Sequence, residues 1–489
     1  MQGMKMPSVM AHNFSQVPSA EIQRSSFKRS HSHKTTFDFG KLIPIFCDEV
    51  LPGDTFNVKM SGFGRLATPL HPIMDNMFLD THFFFVPTRL IWDNFQKFMG
   101  EQENPGDSTD YLVPVVGYGS NVVTGSVADH FGLPINKPAL SLNSLPFRAY
   151  RLIWNEWFRD ENLQDSVDVW KTDGPDPINN GDVVLPRGKR HDYFSSCLPF
   201  PQKGEAVSLP LGTSANIFTD GDYGDLIFVD SPTGGAAKRS LEIGATNVQV
   251  GASLPDTVNL FADLSTATAA TINQLREAFQ IQRLLEKDAR GGTRYAEILR
   301  SHFGVTSPDS RIQRPEYLGG GSTPLRVTPV AQTSSTDATS PQGGLAGVGT
   351  VGFSDNGFSK SFVEHGYIIG LVSARADLSY QQGVDRMWSR QDRYDFYWPS
   401  LAHLGEQAVL NKEIYYQNTS ADDEVFGYQE RFAEYRYKNS LVSGKFRSDA
   451  AESLDTWHLS QDFASLPVLG DTFIQENPPY DRDWETKSF

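Results

Sequence analysis

The chain is short of cysteine, of basic charge and of long apolar runs. Its two cysteines, Cys47 and Cys197, stand 150 positions apart. That is too few for a disulfide framework and the wrong spacing for a zinc site, so both are expected as free, buried or half-buried thiols. Lys and Arg number 43 against 59 Asp and Glu, a net charge of −16. A chain this acidic does not bind duplex DNA by neutralising phosphates over its whole surface. The longest apolar stretches, residues 83–86 and 367–372, fall far short of the roughly 20 residues that span a bilayer. Residues 1–13 hold no apolar segment of signal-peptide length. The expectation is a soluble chain made in a cytoplasm, with no membrane insertion.

What is present suffices for a core: 39% of residues are hydrophobic and 12% aromatic, which excludes wholesale disorder. Gly and Pro are 70 of 489, near average usage, so the chain is not low-complexity. Length suggests about three domains, or one elaborated β-domain. The charge is uneven. Residues 1–41 carry six Lys/Arg against two acids, a net of +4, and the remainder carries −20. This reads as a basic arm, residues 1–41, on an acidic body, residues 42–489.

Residues 55–67 alternate Phe56, Val58 and Met60 with Asn57, Lys59 and Ser61, a strand with one buried face. Residues 77–86 end in Phe83-Phe84-Phe85 and predict a strand covered on both sides, stopped by Pro87. Thr88 is a candidate N-cap for a short helix bearing Ile91, Phe95 and Phe98. Pro146 opens a second helix whose Phe147, Tyr150, Trp154 and Trp157 form a core-facing stripe. Residues 271–304 predict a helical insertion, broken at Gly291-Gly292 and ended at Gly304. Further strands are expected over 362–375, 394–398 and 414–417. Strands at both ends with helices between them suggest an antiparallel β-domain carrying long insertions. Residues 205–270, rich in Gly, Ser, Thr and Asp with only two basic residues, read as a projecting subdomain with small hairpins at 226–229 and 248–250.

No catalytic motif survives its context. Gly347-Val348-Gly349-Thr350-Val351-Gly352 matches G-x-G-x-x-G, but Ser/Thr/Pro-rich sequence precedes it and no helix start follows, so a loop is expected, not a cofactor site. Gly319-Gly320-Gly321-Ser322-Thr323 lacks the Lys-Ser/Thr of a phosphate loop and reads as a turn. His31 and His33 alternate in a polar arm and are expected to be solvated. His191-Asp192 lacks an accompanying nucleophile motif. Acid runs such as Asp422-Asp423-Glu424 are unsurprising among 59 acids. Arg187-Gly188-Lys189-Arg190 stands out as a basic cluster within an acidic body: a solvated surface patch, or an anion or nucleic-acid contact. No enzyme, metal or cofactor is expected.

Several longer phrases carry a resemblance. They include Asp48-Glu49-Val50-Leu51-Pro52-Gly53-Asp54-Thr55, Phe83-Phe84-Phe85-Val86-Pro87, Trp154-Asn155-Glu156-Trp157-Phe158-Arg159-Asp160 and Arg187-Gly188-Lys189-Arg190-His191-Asp192-Tyr193. Ala289-Arg290-Gly291-Gly292-Thr293-Arg294-Tyr295, Arg314-Pro315-Glu316-Tyr317-Leu318-Gly319-Gly320-Gly321 and Tyr428-Gln429-Glu430-Arg431 follow in order. The chain resembles the major capsid proteins of the Microviridae, in particular the gokushovirus branch of small single-stranded DNA phages, from about residue 13 to 480.

The resemblance implies a mainly β protein, an eight-stranded antiparallel viral jelly roll with long insertions containing several helices. It implies a homo-oligomeric T = 1 icosahedral shell around a circular single-stranded DNA, assembled in the host bacterial cytoplasm and located in the virion. It further implies that residues 205–270 form a protrusion that meets a host surface receptor, and that a minor or pilot protein accompanies the shell. From charge, the candidate nucleic-acid contacts are Arg24, Lys28, Arg29 and Lys34 in the arm, then Arg187, Lys189 and Arg190. The deficit of basic charge implies a separate small basic DNA-binding protein. The chain departs from the family after Pro479, where residues 480–489 are too polar for a core strand. The last strand is therefore expected to be missing or replaced. The alternative reading is a β-sandwich protein that binds or hydrolyses carbohydrate.

Overall fold

The computed structural model describes residues 23–482, apart from 119–121, 138–139, 178–182, 206, 208–215, 220–225, 231–236, 244–247, 254–259, 264–271, 293, 307–312, 334–341 and 403. The chain divides after Thr36 into an N-terminal segment and a body, Phe37–Phe489.

The body is organised by one six-stranded antiparallel sheet. Its strands are β1 (Ile43–Val50), β2 (Thr55–Arg65), β3 (Met77–Pro87), β4 (Glu316–Ala331), β5 (Leu345–Ser361) and β6 (Gly366–Ala376). They lie in the order β1-β6-β3-β4-β5-β2. Consecutive strands β1 and β2 therefore occupy opposite ends of the row, yet only residues 51–54 join them. Laid flat, the two ends would be roughly 24 Å apart at ~4.8 Å per strand, farther than so short a link comfortably spans. The sheet must curl, and it does so into a half-barrel. The β5–β6 connection makes the same crossing beside it: Gly53 N donates to Phe362 O at 2.8 Å and Phe362 N to Asp54 O at 2.9 Å. Phe362 fills the space so enclosed, its ring 4.6 Å from Phe85 and 5.9 Å from Phe56.

The alternation within β3 and β6 places apolar residues on both faces. Phe84 and Val86 join Ile369, Leu371, Tyr150 and Ile153 in one core cluster. Phe85 joins Ile368 and Val50, and Met77 and Leu79 join Val372 and Ala374. The expectation for Phe83-Phe84-Phe85 holds. Against this sheet packs helix α1 (Leu145–Ile153), with Pro in its first turn. Arg148 anchors it: wholly buried, it donates to Asp176 at 2.7 Å and to Ile91 O and Thr172 O at 2.9 Å. The helical insertion is α2 (Ile272–Gly291) and α3 (Tyr295–Phe303), closed by left-handed Gly304. The region 205–270 contains a pair, Asn216–Thr219 with Leu260–Asp263, and a three-stranded piece, Leu226–Asp230, Ala237–Ile243 and Val248–Ser253.

Several local expectations are corrected. Gly319–Gly321 is not a turn but lies inside β4, at a bulge. A Cβ on Gly320 would sit 2.0 Å from Thr81 O. The bare backbone lets Asn356 of β5 reach across to donate to Thr81 Oγ1 at 3.1 Å, the close approach that glycine in a strand permits. Gly347–Gly352 likewise lies in β5, not a loop. Side chains on Gly347 and Gly349 would strike Pro69 and Leu66.

Residues 394–398 and 414–417 are not strands. The first holds a turn at Arg393–Asp395, fixed because Asp395 Oδ2 accepts from Gln391 N and Asp392 N at 2.8 and 2.9 Å. The second begins in a helical turn, Asn411–Ile414. Side-chain-to-backbone bonds overrode β-propensity in the first. Thr88 is buried and does not cap; a 3-10 turn, Thr88–Leu90, precedes a separate short helix, Phe95–Phe98. Cys47 is exposed on edge strand β1, whereas Cys197 is buried with its thiol 3.3 Å from Tyr193 O. Tyr480–Arg482 form a turn; residues 483–489, on which the expectation of a missing last strand partly rests, lie outside the described residues.

Candidate interaction surfaces

Arg24, Lys28, Arg29 and Lys34 lie in residues 23–36, which form neither helix nor strand and are exposed throughout. This stretch has four cations and no carboxylate. An exposed, locally basic segment without regular structure can follow a phosphate backbone without a preformed groove. His31 and His33 are exposed in it, and His31 Nδ1 lies 3.4 Å from Arg29 O.

The second basic cluster has different surroundings. Arg187 Nη1 lies 2.7 Å from Asp80 Oδ2, which Arg375 Nε approaches at 3.2 Å. Lys189 is 8% exposed, with its ammonium 3.9 Å from the Phe473 ring centroid. Burial pulls its pKa down to about 8 against the opposing pull of Asp192 and Glu476. Arg190 keeps 51% of its side chain exposed, paired with Asp377 at 3.0 Å and stacked over Phe78.

The backbone explains the arrangement. Arg187 N donates to Gly40 O, Glu476 N to Arg187 O and Lys189 N to Ile474 O, all within 2.8 Å. Residues 187–189 thus form a clasp between the segment leading into β1 and the C-terminal stretch 474–476. Glu476 Oε1 accepts from Ala376 N at 2.6 Å. Burial raises this carboxyl to about 8 despite Arg187, with Asp80 and Asp377 pushing the same way. The sequence shows the cations, but not the carboxylates they meet from 107 and 187 positions away.

The acid pairs also have structural work. Asp192 Oδ1 accepts from Phe194 N and Ser195 N, and its Oδ2 from Tyr380 OH at 2.9 Å. Asp422 accepts from Gln417 N and Thr419 N. Among the described residues no group of His, Cys, Asp or Glu is arranged to hold a metal ion, and no helix is long and apolar enough to cross a membrane.

Sequence reasoning took residues 394–398 for a strand and singled out no exposed aromatic surface. The structure places Trp388, Tyr394, Phe396, Tyr397 and Trp398 outward together along residues 388–398. Their aperiodic alternation with Arg386, Arg390 and Arg393 was the available signal.

A curled β-sheet, buried charges that clasp chain segments together, and exposed aromatics along 388–398 with no catalytic arrangement beside them suit a structural protein that associates. The comparisons say of which kind. The model of the capsid protein (F protein) family matches residues 15–488, and the chain belongs to that family. It is 52% identical to the capsid protein VP1 of Bdellovibrio phage phiMH2K, over 96% of this chain and 91% of that one. It is 43% identical to capsid protein VP1 of Chlamydia phage 1, over 98% and 94%, and 38% identical to that of Spiroplasma virus 4, over 95% and 90%. The resemblance to Microviridae major capsid proteins, with gokushovirus-type relatives, is borne out. The chain is a virion structural protein that assembles into an oligomeric shell, and not an enzyme. The carbohydrate-hydrolysing alternative falls with that membership.

Proposed function

We propose that this subunit is the sole shell-forming unit of a T = 1 icosahedral capsid, sixty copies closing around a circular single-stranded DNA. Membership of the capsid protein family supports the shell-forming part of this reading, and the strand order supports a jelly-roll subunit. In an eight-stranded jelly roll the first strand pairs with the eighth, the eighth with the third, and the third with the sixth; the second pairs with the seventh. The order β1-β6-β3-β4 together with β5-β2 fits that scheme if two more strands intervene between β3 and β4, with the β4–β5 pairing as an additional link between the two sets. Val115–Tyr118 and Leu140–Asn143, an antiparallel pair, are the proposed supply. Val116 packs in the same core cluster as Phe84 and Ile369. Closed symmetry then makes the shell finite.

In this reading residues 1–41 meet the packaged DNA through Arg24, Lys28, Arg29 and Lys34. Arg187 and Lys189 chiefly clasp the subunit, and Arg190 offers the more accessible cation. Residues 205–270 form the projecting subdomain that meets a host receptor, and 271–304 the helical insertion. A separate small basic protein supplies most of the charge that condenses the genome, and a minor or pilot protein joins the virion. Assembly takes place in the host bacterial cytoplasm. Co-expressing the chain with its genome, then sedimenting and imaging the product, tests the reading. Closed shells of sixty subunits are expected; only small oligomers would refute it.

A further inference from the structure

The stretch 386–398 is aromatic, exposed and without a role so far. Met387, Trp388, Tyr394, Phe396, Tyr397 and Trp398 are each between 42% and 75% exposed. Only single turns, Arg386–Trp388 and Arg393–Asp395, give it regular structure, yet side chains fix it. Tyr397 N donates to Tyr435 OH at 3.3 Å, and the Tyr397 ring lies 5.2 Å from Phe432. The Trp398 indole N–H donates to Arg393 O at 2.7 Å. Arg390 stacks 4.5 Å over Tyr435 while holding Glu434 at 3.2 Å. Aromatics already held in place lose little freedom on binding.

Charge decides what binds. Stacked single-stranded nucleic acid would use the rings, but it also needs a positive track for its phosphates. Here Arg386, Arg390, Arg436 and Lys438 each pair with a carboxylate, and Arg393 is stacked on Tyr394 and Trp398. Arg386 lies 3.0 Å from Glu413, Arg436 2.6 Å from Glu430 and Lys438 3.8 Å from Asp385. Arg393 sits between Asp392 and Asp395 in sequence. A balanced face rich in Trp, Tyr, Met and Arg has the composition of protein–protein hot spots.

Size points the same way. With ~200 Å² per large aromatic, the six residues and half-exposed Tyr435 present roughly 700 Å². A standard interface buries about 800 Å² per partner, and the largest apolar patch on a monomer is about 300–600 Å².

We propose that residues 386–398 with Tyr435 form a contact between copies of this chain, anchored by Trp388, Tyr397 and Trp398. The inference rests on the shell-forming reading and deepens it by naming the surface. Trp388→Asp is the test, because Trp388 is the most exposed of the anchors, at 75%. The purified variant is expected to keep the thermal midpoint of the parent chain. In sedimentation velocity over rising concentration, its self-association should weaken at least tenfold, and shell yield should fall equally. Trp388→Ser, which adds no charge, serves if the Asp variant misfolds. Parent-like association of a folded variant overturns the inference, as does normal shell yield with reduced packaged DNA, which would assign the face to nucleic acid. The two readings fail separately. A parent chain that self-associates through Trp388 but never closes a shell refutes the T = 1 assembly and leaves this contact standing.

Discussion

Glu476 carries a proton at neutral pH because its carboxyl is buried against the backbone of β6, with its pKa raised to about 8. An unfolded glutamate titrates near 4.5. Between those values the folded chain holds a proton that the unfolded chain has released, so stability falls as pH rises across that window and is fully present below it. Lys189, lowered to about 8 from 10.5, acts only above the window and with the opposite sign. Glu476→Gln keeps an acceptor for Ala376 N and removes the titration. Its thermal midpoint should vary less than that of the parent between pH 5 and 8, by roughly 2–4 °C; differential scanning calorimetry at both pH values checks this.

Arg187→Ala tests the other half of the clasp. It leaves Asp80, buried with its Oδ1 unpartnered, facing Arg375 alone. A loss of about 3 kcal/mol is expected, seen as a lower urea midpoint. Sequence could flag Arg187 and Glu476 as charged residues in an acidic protein, but burial and partners far along the chain set their chemistry. Neither leaves a local trace.

At the scale of elements, β3 and α1 were legible because each satisfies its own periodicity: consecutive apolar residues for a strand covered on both faces, and a helical stripe behind Pro146. Strand β4 was not. A glycine run signals a turn and a close crossing alike, and the residue that decides between them, Thr81, lies some 240 positions away. Gly320→Ala therefore drives a methyl into Thr81 O, 2.0 Å from its Cβ position. The change should destabilise the body by about 1–3 kcal/mol, with lost amide protection in β3 and β4 by hydrogen exchange. Gly352→Ala in β5, where a Cβ meets open space, is the control and should be near neutral. The Tyr394–Trp398 stretch misled in the opposite way: its residue types favour strands, but Asp395 ties the backbone into a turn, leaving the rings on the surface.

For the whole molecule, the net charge of −16 fits the proposed reading, in which the shell does not by itself neutralise the DNA it packages. Four cations in residues 23–36, with no acid among them, are the exception. Replacing Arg24, Lys28, Arg29 and Lys34 by Gln should leave shell yield unchanged. It should lower packaged DNA, measured as the ratio of absorbance at 260 to 280 nm in purified particles, and flatten the salt dependence of single-stranded DNA binding by about three ion equivalents.

The half-barrel also has a consequence in time. Strand β1 finds its partner in β6, so Val50 pairs with Gly366 and Ile43 with Val372. During synthesis at ~5–20 residues per second, β1 leaves the ribosome roughly 15–65 s before β6 exists to receive it. The first strand made must wait unpaired for the last strand of the sheet. Pairings this remote also fold slowly once the chain is complete. Synthesis in an infected cell would therefore stock many half-finished sheets with an open edge at once. The demand for chaperones should follow the rate of translation, not the final amount of capsid.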